Sequence, residues 1–269
     1  MSKPVAIITG AASGIGLALT RHLLAKGWKV AMADINAQQG AAVAAELGDS
    51  VLFIPTNVAV YSQQVQLFSR AFAWGGNRLD FFAANAGIAG TSDYYRSNEE
   101  LDADGLLQEL GVTTLRVNLD AVVQGVWLFK HYARRNEGAK GGKVVITSSM
   151  AGLYPMESDP LYTATKHALV GFTRATGPVL QRENITVNCF CPAFVVTSLA
   201  PKEVLDNFPK EHITPMSTVL RAYDMFLEDP KLSGKVVETS LDQVYFQEPP
   251  DFSNESNRWL STATKELWP

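Results

Sequence analysis

"TGAASGIG", residues 9–16, follows the apolar run "VAII" at 5–8 and leads into "IGLALTRHLLAK" at 15–26. The latter spaces its apolar residues three and four apart, the period of a helix with one buried face. Gly10, Gly14 and Gly16 therefore stand between a buried strand and a helix. Glycine suits that place because the backbone must bend sharply and lie close to whatever binds above the turn. The free amides and the positive dipole at the start of the next helix then face an anion, and a diphosphate is the group that fits. Ordinary strand–helix turns also use glycine, so the pattern alone is loose. Its place on the first strand, first turn and first helix sharpens it.

The same alternation continues outward. Apolar runs recur at 29–33 ("KVAMA"), 51–54 ("VLFI"), 79–83 ("LDFFA"), 143–147 ("KVVIT"), 185–190 ("ITVNCF") and 235–239 ("KVVET"), with helical patterns between them. Continuous apolar strands separated by helices predict an α/β protein: a doubly wound parallel sheet of about seven strands, with helices on both faces. The 269 residues can bury a sizeable core, and no shift in composition marks a second domain. The expectation is one domain over 1–247, a polar, acidic insertion at 90–112, and a C-terminal tail over 248–269.

The net charge is −4, so no basic field draws nucleic acid or an anionic membrane. No apolar run reaches the roughly 18 residues of a spanning helix. "MSKPVAIITG" is too short in apolar residues for a signal peptide. The two cysteines, Cys189 and Cys191, share one face of a strand, where a bridge would be strained. The four histidines show no ligand spacing, and no metal site is expected. Reduced thiols fit a cytoplasmic protein.

Asp34 ends the second strand, 18 residues after Gly16. A carboxylate there accepts both hydroxyls of an adenine ribose, as in NAD, and repels the extra phosphate of NADP. No Lys or Arg lies at 11–13 or 35–37 to receive that phosphate. A strand-end turn residue is the plainer alternative; the glycine turn argues for the cofactor.

Farther along stand "NAG" at 85–87, Asn118, "SS" at 148–149, Y-x-x-x-K at 162–166 and "CPAFVVT" at 191–197. In this order and spacing, from about residue 4 to 247, the chain resembles the short-chain dehydrogenase/reductase family. "SSMAGLYP", "KHALVGFTR" and "VVETSLDQVYFQ" are similar to its NAD-dependent 15-hydroxyprostaglandin dehydrogenase-like members. The resemblance implies a three-layer Rossmann fold, NAD as cofactor, and a catalytic tetrad of Asn118, Ser149, Tyr162 and Lys166. Ser149, 13 residues before Tyr162, fits the family spacing better than Ser148. Cofactor contacts are implied at Gly10, Ser13, Gly14, Ile15 and Gly16, then at Asp34 and Ile35. They continue at Asn57 and Val58, where the family usually has Asp-Val, and at Asn85, Ala86 and Gly87. Tyr162, Lys166, Val195 and Thr197 complete the set. A homodimer or homotetramer is the implied assembly.

Tyr162 and Lys166 are one helical turn apart and project to one side. A free phenol ionises near ~10 and is a poor base at neutral pH. A nearby ammonium favours the phenolate, and a positive nicotinamide adds to that. The resemblance gives Tyr162 the alcohol proton, Ser149 the substrate oxygen, Lys166 the nicotinamide ribose, and Asn118 a water linking Lys166 to solvent. The expected reaction moves a hydride between NAD and an apolar secondary alcohol, lipid-like or a secondary metabolite. A carbonyl reductase running the other way is an alternative. A nucleotide-bound scaffold without catalysis is another, although such a protein would be expected to lose tetrad residues.

Substrate walls are expected from 88–110, 150–160 and 198–232, the last as a lid. They carry Tyr94, Tyr95, Leu153, Tyr154, Met156, Leu199, Leu205, Phe208, Met216 and Met225, with Phe194 just before the lid. Such side chains suit a bulky apolar substrate or pack the lid itself. The tail's Trp259 and Trp268 would cover a pocket or a neighbouring subunit.

Three departures stand out. Ala84 replaces the first asparagine of "NNAG". Ala193 replaces the glycine of "PG", at about 1 kcal/mol if that φ is positive. Pro178 in "TGPVL" removes a helical hydrogen bond and predicts a kink or early helix end near Gly177. That helix often meets a partner subunit in the family, so the usual oligomer is not assured.

Overall fold

The computed structural model describes residues 3–90, 94–95, 101–137, 140–200 and 202–267, with side chains through Ala263. The first half alternates strictly: β1 (Val5–Thr9), α1 (Gly14–Ala25), β2 (Lys29–Asp34), α2 (Ala37–Leu47), β3 (Val51–Pro55), α3 (Tyr61–Trp74) and β4 (Phe81–Ala84). A single turn, α4 (Thr113–Leu115), passes through a π-helical turn at Arg116–Asp120 into α5 (Ala121–Ala133). Then follow β5 (Gly142–Thr147), α6 (Pro160–Leu180), β6 (Ile185–Pro192), the short α7 (Lys202–Asn207), α8 (Met216–Glu228), β7 (Val236–Ser240), β8 (Gln243–Phe246) and α9 (Glu255–Leu267).

The strands lie in the order β3-β2-β1-β4-β5-β6-β7-β8. The first seven are parallel, as their continuous apolar runs require, and β8 returns antiparallel to β7. The order reverses between β1 and β4, which leaves a crevice at their carboxyl ends. Alternate residues feed two cores. On one face Val5, Ile7, Phe82, Val144 and Val187 meet Phe68, Val126, Phe129 and Leu169 from α3, α5 and α6. On the other Ala6, Ile8, Met32, Phe81 and Phe190 meet Leu19 and Leu23 of α1 and Val219, Tyr223 and Phe226 of α8. Each large side chain removed from water in this way contributes roughly 1.5–3 kcal/mol before its entropy cost. No helix among the described residues is long and apolar enough to cross a membrane.

Four points go beyond the sequence reading. The segment expected as a lid, 198–232, includes α8, which is a core helix, with Val219, Ala222, Tyr223 and Phe226 buried, and Met216 and Met225 pack on the same cluster. The hairpin to β8 was not foreseen, because its two-residue turn holds Leu241 at φ +50 with neither glycine nor asparagine. Distant groups fix that turn. The Thr218 hydroxyl donates to the Leu241 carbonyl (2.7 Å), the Leu241 N–H donates to the Thr214 hydroxyl (3.0 Å), and Arg221 donates to the Asp242 carbonyl. Of the two outcomes expected at Pro178, a kink or an early end, the early end does not occur: the helix runs to Leu180. Gly177 lies so close to Gly234 that a Cβ would collide with it, and the Ser233 hydroxyl donates to the Gly177 carbonyl (2.9 Å). The loop between α8 and β7 thus braces the helix at the proline. Ala193 is not among the residues with positive φ, and its N–H donates to Thr239 (2.8 Å), so it carries no such cost.

Candidate active site

The opening turn is built as its glycines suggest. Gly10 and Gly14 have φ of +66 and +51, the region where a Cβ is crowded, and a Cβ on Gly16 would collide with the Gly10 carbonyl. Asp34 stands on the rim of this turn. Its Oδ2 accepts the Ala12 N–H and its Oδ1 the Asn36 N–H, both at 2.9 Å, and Ile35 beside it is exposed. The segment after β6 closes the opposite side. The Ser13 and Ser198 hydroxyls are 3.1 Å apart, and a Cβ on Gly14 would stand 3.2 Å from the Thr197 side chain. Ile15 and Val195 pack beneath, against the core.

Asn85 also serves the framework. Its amide donates to the Thr9 carbonyl (3.0 Å) and accepts from the Thr147 hydroxyl (3.2 Å), which lies 3.1 Å from the Tyr223 hydroxyl. The Thr9 hydroxyl accepts from the Asn85 and Ala86 amides (3.0 and 3.1 Å). These bonds lock the ends of β1, β4 and β5 together. Asn57 and Val58 close the end of β3: Asn57 Oδ1 accepts the Ala59 N–H (3.0 Å), and the Val58 carbonyl accepts from Gln64 (2.7 Å).

The four tetrad positions come together from three elements. Asn118 lies in the π turn, 1% exposed, and pairs with Ile88 as one strand residue pairs with another. Its Nδ2 donates to the Ile88 carbonyl and its Oδ1 accepts the Ile88 N–H, each at 2.9 Å. Lys166 on α6 is 3% exposed and donates to the Thr147 carbonyl (2.9 Å). A Cβ on Gly87 would stand 3.4 Å from Asn118 Oδ1 and 3.6 Å from Lys166 Nζ, so these three residues border one space. The Ser149 hydroxyl accepts the Ala151 N–H (3.1 Å) and lies near enough to the Tyr162 phenol to favour its ionised form. Ser148 is buried instead, donating to the Lys166 carbonyl (2.9 Å). The structure thus gives the two serines different work, and Ser149 is the one that meets the tyrosine.

The electrostatics differ from the sequence expectation. Burial pushes the Tyr162 phenol up; the Ser149 hydroxyl holds it down, while the Asp159 carboxylate and Cys191 push it further up. Burial also lowers Lys166 to about 8, opposed by Cys189 and Cys191. The ammonium lies 5.4 Å from the Tyr162 ring centre and bonds toward β5. In the chain by itself, then, desolvation outweighs the ammonium.

Sequence reasoning missed several residues. Thr147 joins Asn85 to Lys166. Asp159 caps α6, a role its place before Pro160 could have suggested. The Tyr154 hydroxyl donates to Glu238 (3.0 Å), pinning the loop after Ser149 to β7. Of the expected walls, Tyr94, Tyr95, Tyr154, Met156 and Leu199 are exposed. Leu205 is half-buried, Leu153 packs on the core, and Phe194 stacks on Phe208 at 3.6 Å. Within the insertion Leu101 pairs with Leu107. Residues 91–93 and 96–100 lie outside the described residues, as does Trp268. Trp259 is exposed on α9.

Tyrosine and lysine one turn apart, beside a glycine turn at the switch point of a doubly wound sheet, mark a class of dinucleotide-dependent oxidoreductases. Known proteins agree with that class. The model of the short chain dehydrogenase family matches residues 4–207, and the chain belongs to the short-chain dehydrogenase/reductase family of oxidoreductases. It is 35% identical over 263 residues to short-chain dehydrogenase/reductase prx6 of Penicillium rubens, covering 93% of this chain and 87% of that protein. It is 32% identical over 267 residues to the 15-hydroxyprostaglandin dehydrogenase [NAD(+)] of Homo sapiens, covering 91% and 94%. The solved 3-hydroxyacyl-CoA dehydrogenase type-2 from Mycobacterium avium superposes with a TM-score of 0.74 at 25% identity, over 93% of this chain and 98% of that one.

Proposed function

We propose that the protein moves a hydride between NAD and an apolar secondary alcohol, lipid-like or a secondary metabolite, with Tyr162 as the base. The convergence of Ser149 on the Tyr162 phenol, with Gly87, Asn118 and Lys166 around one space, is the observation that carries this reading. The residues present fit a dinucleotide. At Gly10, Gly14 and Gly16 no Cβ keeps a diphosphate off the amides of the turn. Asp34 offers a carboxylate where a ribose would lie, with no cation at 11–13 or 35–37 for a further phosphate, which favours NAD over NADP. Ser13, Ile15, Ile35, Asn57, Val58, Ala86, Val195 and Thr197 complete that lining.

When bound, NAD accepts or returns the hydride and brings a positive ring close to Tyr162. Tyr162 takes the alcohol proton, and that nearby positive charge offsets the burial that otherwise keeps the phenol protonated. Ser149 donates to the substrate oxygen and steadies the charge that develops there. Lys166, held by Thr147, reaches the ribose. The side chain of Asn118 is taken up by Ile88, so a water serving Lys166 falls to main-chain carbonyls of the π turn. The same groups run a carbonyl reduction in reverse.

The chain works in the cytoplasm as a homodimer or homotetramer. The face between α5 and α6 supports the assembly: Trp127, 58% exposed, and Val179 line an apolar groove of about 300 Å³. Sedimentation of the purified protein tests it, a monomer refuting the assembly. For the chemistry, cyclohexanol, menthol, ricinoleic acid and the matching ketones are screened by the absorbance of reduced nicotinamide. Tyr162→Phe is expected to lose about a hundred- to ten-thousandfold in turnover, the worth of a general base. Full turnover by that variant refutes the mechanism.

A further inference from the structure

Asp159 bridges two parts of the site that the tetrad leaves unconnected. Its Oδ1 accepts the Tyr162 N–H (3.0 Å) and caps α6. Its Oδ2 accepts the N–H of Gly90 (2.6 Å), where the chain leaves the β4 loop for the 90–112 segment. Gly90 is fitted to this contact, because a Cβ there would collide with both carboxylate oxygens. As a cap alone the carboxylate is a poor choice. A serine would serve the helix as well, and a negative charge three residues from a phenol that must ionise opposes the ionisation. Two acceptor oxygens aimed at two separate amides are what a serine cannot supply.

We propose that Asp159 is a positioning residue that ties Gly90, at the end of the β4 loop, to the start of α6, holding that loop in register with Tyr162. Its importance for catalysis rests on Tyr162 being the base. Several groups face the phenol: Ser149 after β5, Cys191 on β6, Lys166 one turn along α6, and Asp159 itself. Glu238 on β7 is engaged by Tyr154 and by Gln247 (2.9 Å). Asp159 is the carboxylate that bears on the phenol, and it bears upward. Beside the tie, the carboxylate has an electrostatic signature that a neutral cap lacks: removing its charge lets Tyr162 ionise at lower pH.

Asp159→Asn and Gly90→Ala test this on the protein without cofactor. The asparagine keeps an acceptor for the Tyr162 N–H and loses the charge and the second acceptor. The alanine keeps the charge and forces the carboxylate off residue 90. Phenol ionisation is followed by ultraviolet absorbance, each protein minus its Tyr162→Phe counterpart, and amide exchange is followed over residues 88–90 and along α6. Asp159→Asn is expected to shift the Tyr162 titration to lower pH and to speed exchange at residue 90 about fivefold, the factor for one lost hydrogen bond. Gly90→Ala is expected to give the faster exchange there while the α6 amides keep wild-type protection. Unchanged exchange at residue 90 in both variants overturns the tie, and an unmoved titration in Asp159→Asn overturns the effect of its charge on the phenol. Full turnover by Tyr162→Phe would instead remove the base and leave the tie standing.

Discussion

At the scale of single residues, position sets what each carboxylate and hydroxyl can do. Asp34 is fixed by the Ala12 and Asn36 amides on the rim of the glycine turn. Asp34→Ser keeps one acceptor for those amides and removes the charge. Calorimetry is expected to show about tenfold weaker binding of NAD, with NADP gaining relative to it, since a tenfold change corresponds to about 1.4 kcal/mol. Unchanged preference would mean that Asp34 only shapes the turn. The motifs made most of these residues legible: glycines that need positive φ, and a tyrosine–lysine pair at helical spacing. The division of labour between Ser148 and Ser149 was legible only as spacing, and the packing of Ser148 into α6 supplies its cause. Asn85 shows the limit. Nothing in a loop asparagine's sequence context announces that its amide donates to the carbonyl of Thr9.

Among the elements, the seven parallel strands were legible because each is built on a short apolar run, as a strand covered on both faces requires. What escaped was set by distant contacts. Pro178 breaks an isolated helix, yet the Ser233 and Gly234 loop braces α6 across it. The β7–β8 hairpin lacks any turn residue with a preference for positive φ, and three side chains from α8 and the segment before it hold the turn instead. Leu241 therefore carries backbone strain that a local signal would have avoided. Leu241→Gly removes the Cβ that opposes φ +50. It is expected to stabilise the fold by about 1 kcal/mol, which raises Tm by about 2–4 °C in a chain of this size. A fall in Tm on differential scanning calorimetry would show that the exposed leucine side chain contributes more than its backbone costs.

For the whole molecule, the site draws on global stability. Lys166 is fully buried in the core layer of α6, and burial lowers its ammonium from 10.5 to about 8. The sign follows from linkage. Between about pH 8 and 10.5 the unfolded chain holds this proton and the folded chain does not, so stability rises with pH across that window. Below it, the folded protein carries the full cost of a buried ammonium, on the order of 3 kcal/mol at about 1.4 kcal/mol per unit. Tyr162, whose phenol burial pushes up, acts in the opposite sense above pH ~10, where the unfolded chain loses its proton first. Lys166→Met removes the ammonium and keeps the volume. In urea unfolding at about pH 7 it is expected to exceed the wild type by up to that ~3 kcal/mol, and the advantage is expected to shrink by about half or more at pH ~9.5. The same variant should lose turnover, so one residue would show stability given up for function. An advantage independent of pH would mean that Lys166 is neutral throughout, and the lowered ammonium would have to be abandoned.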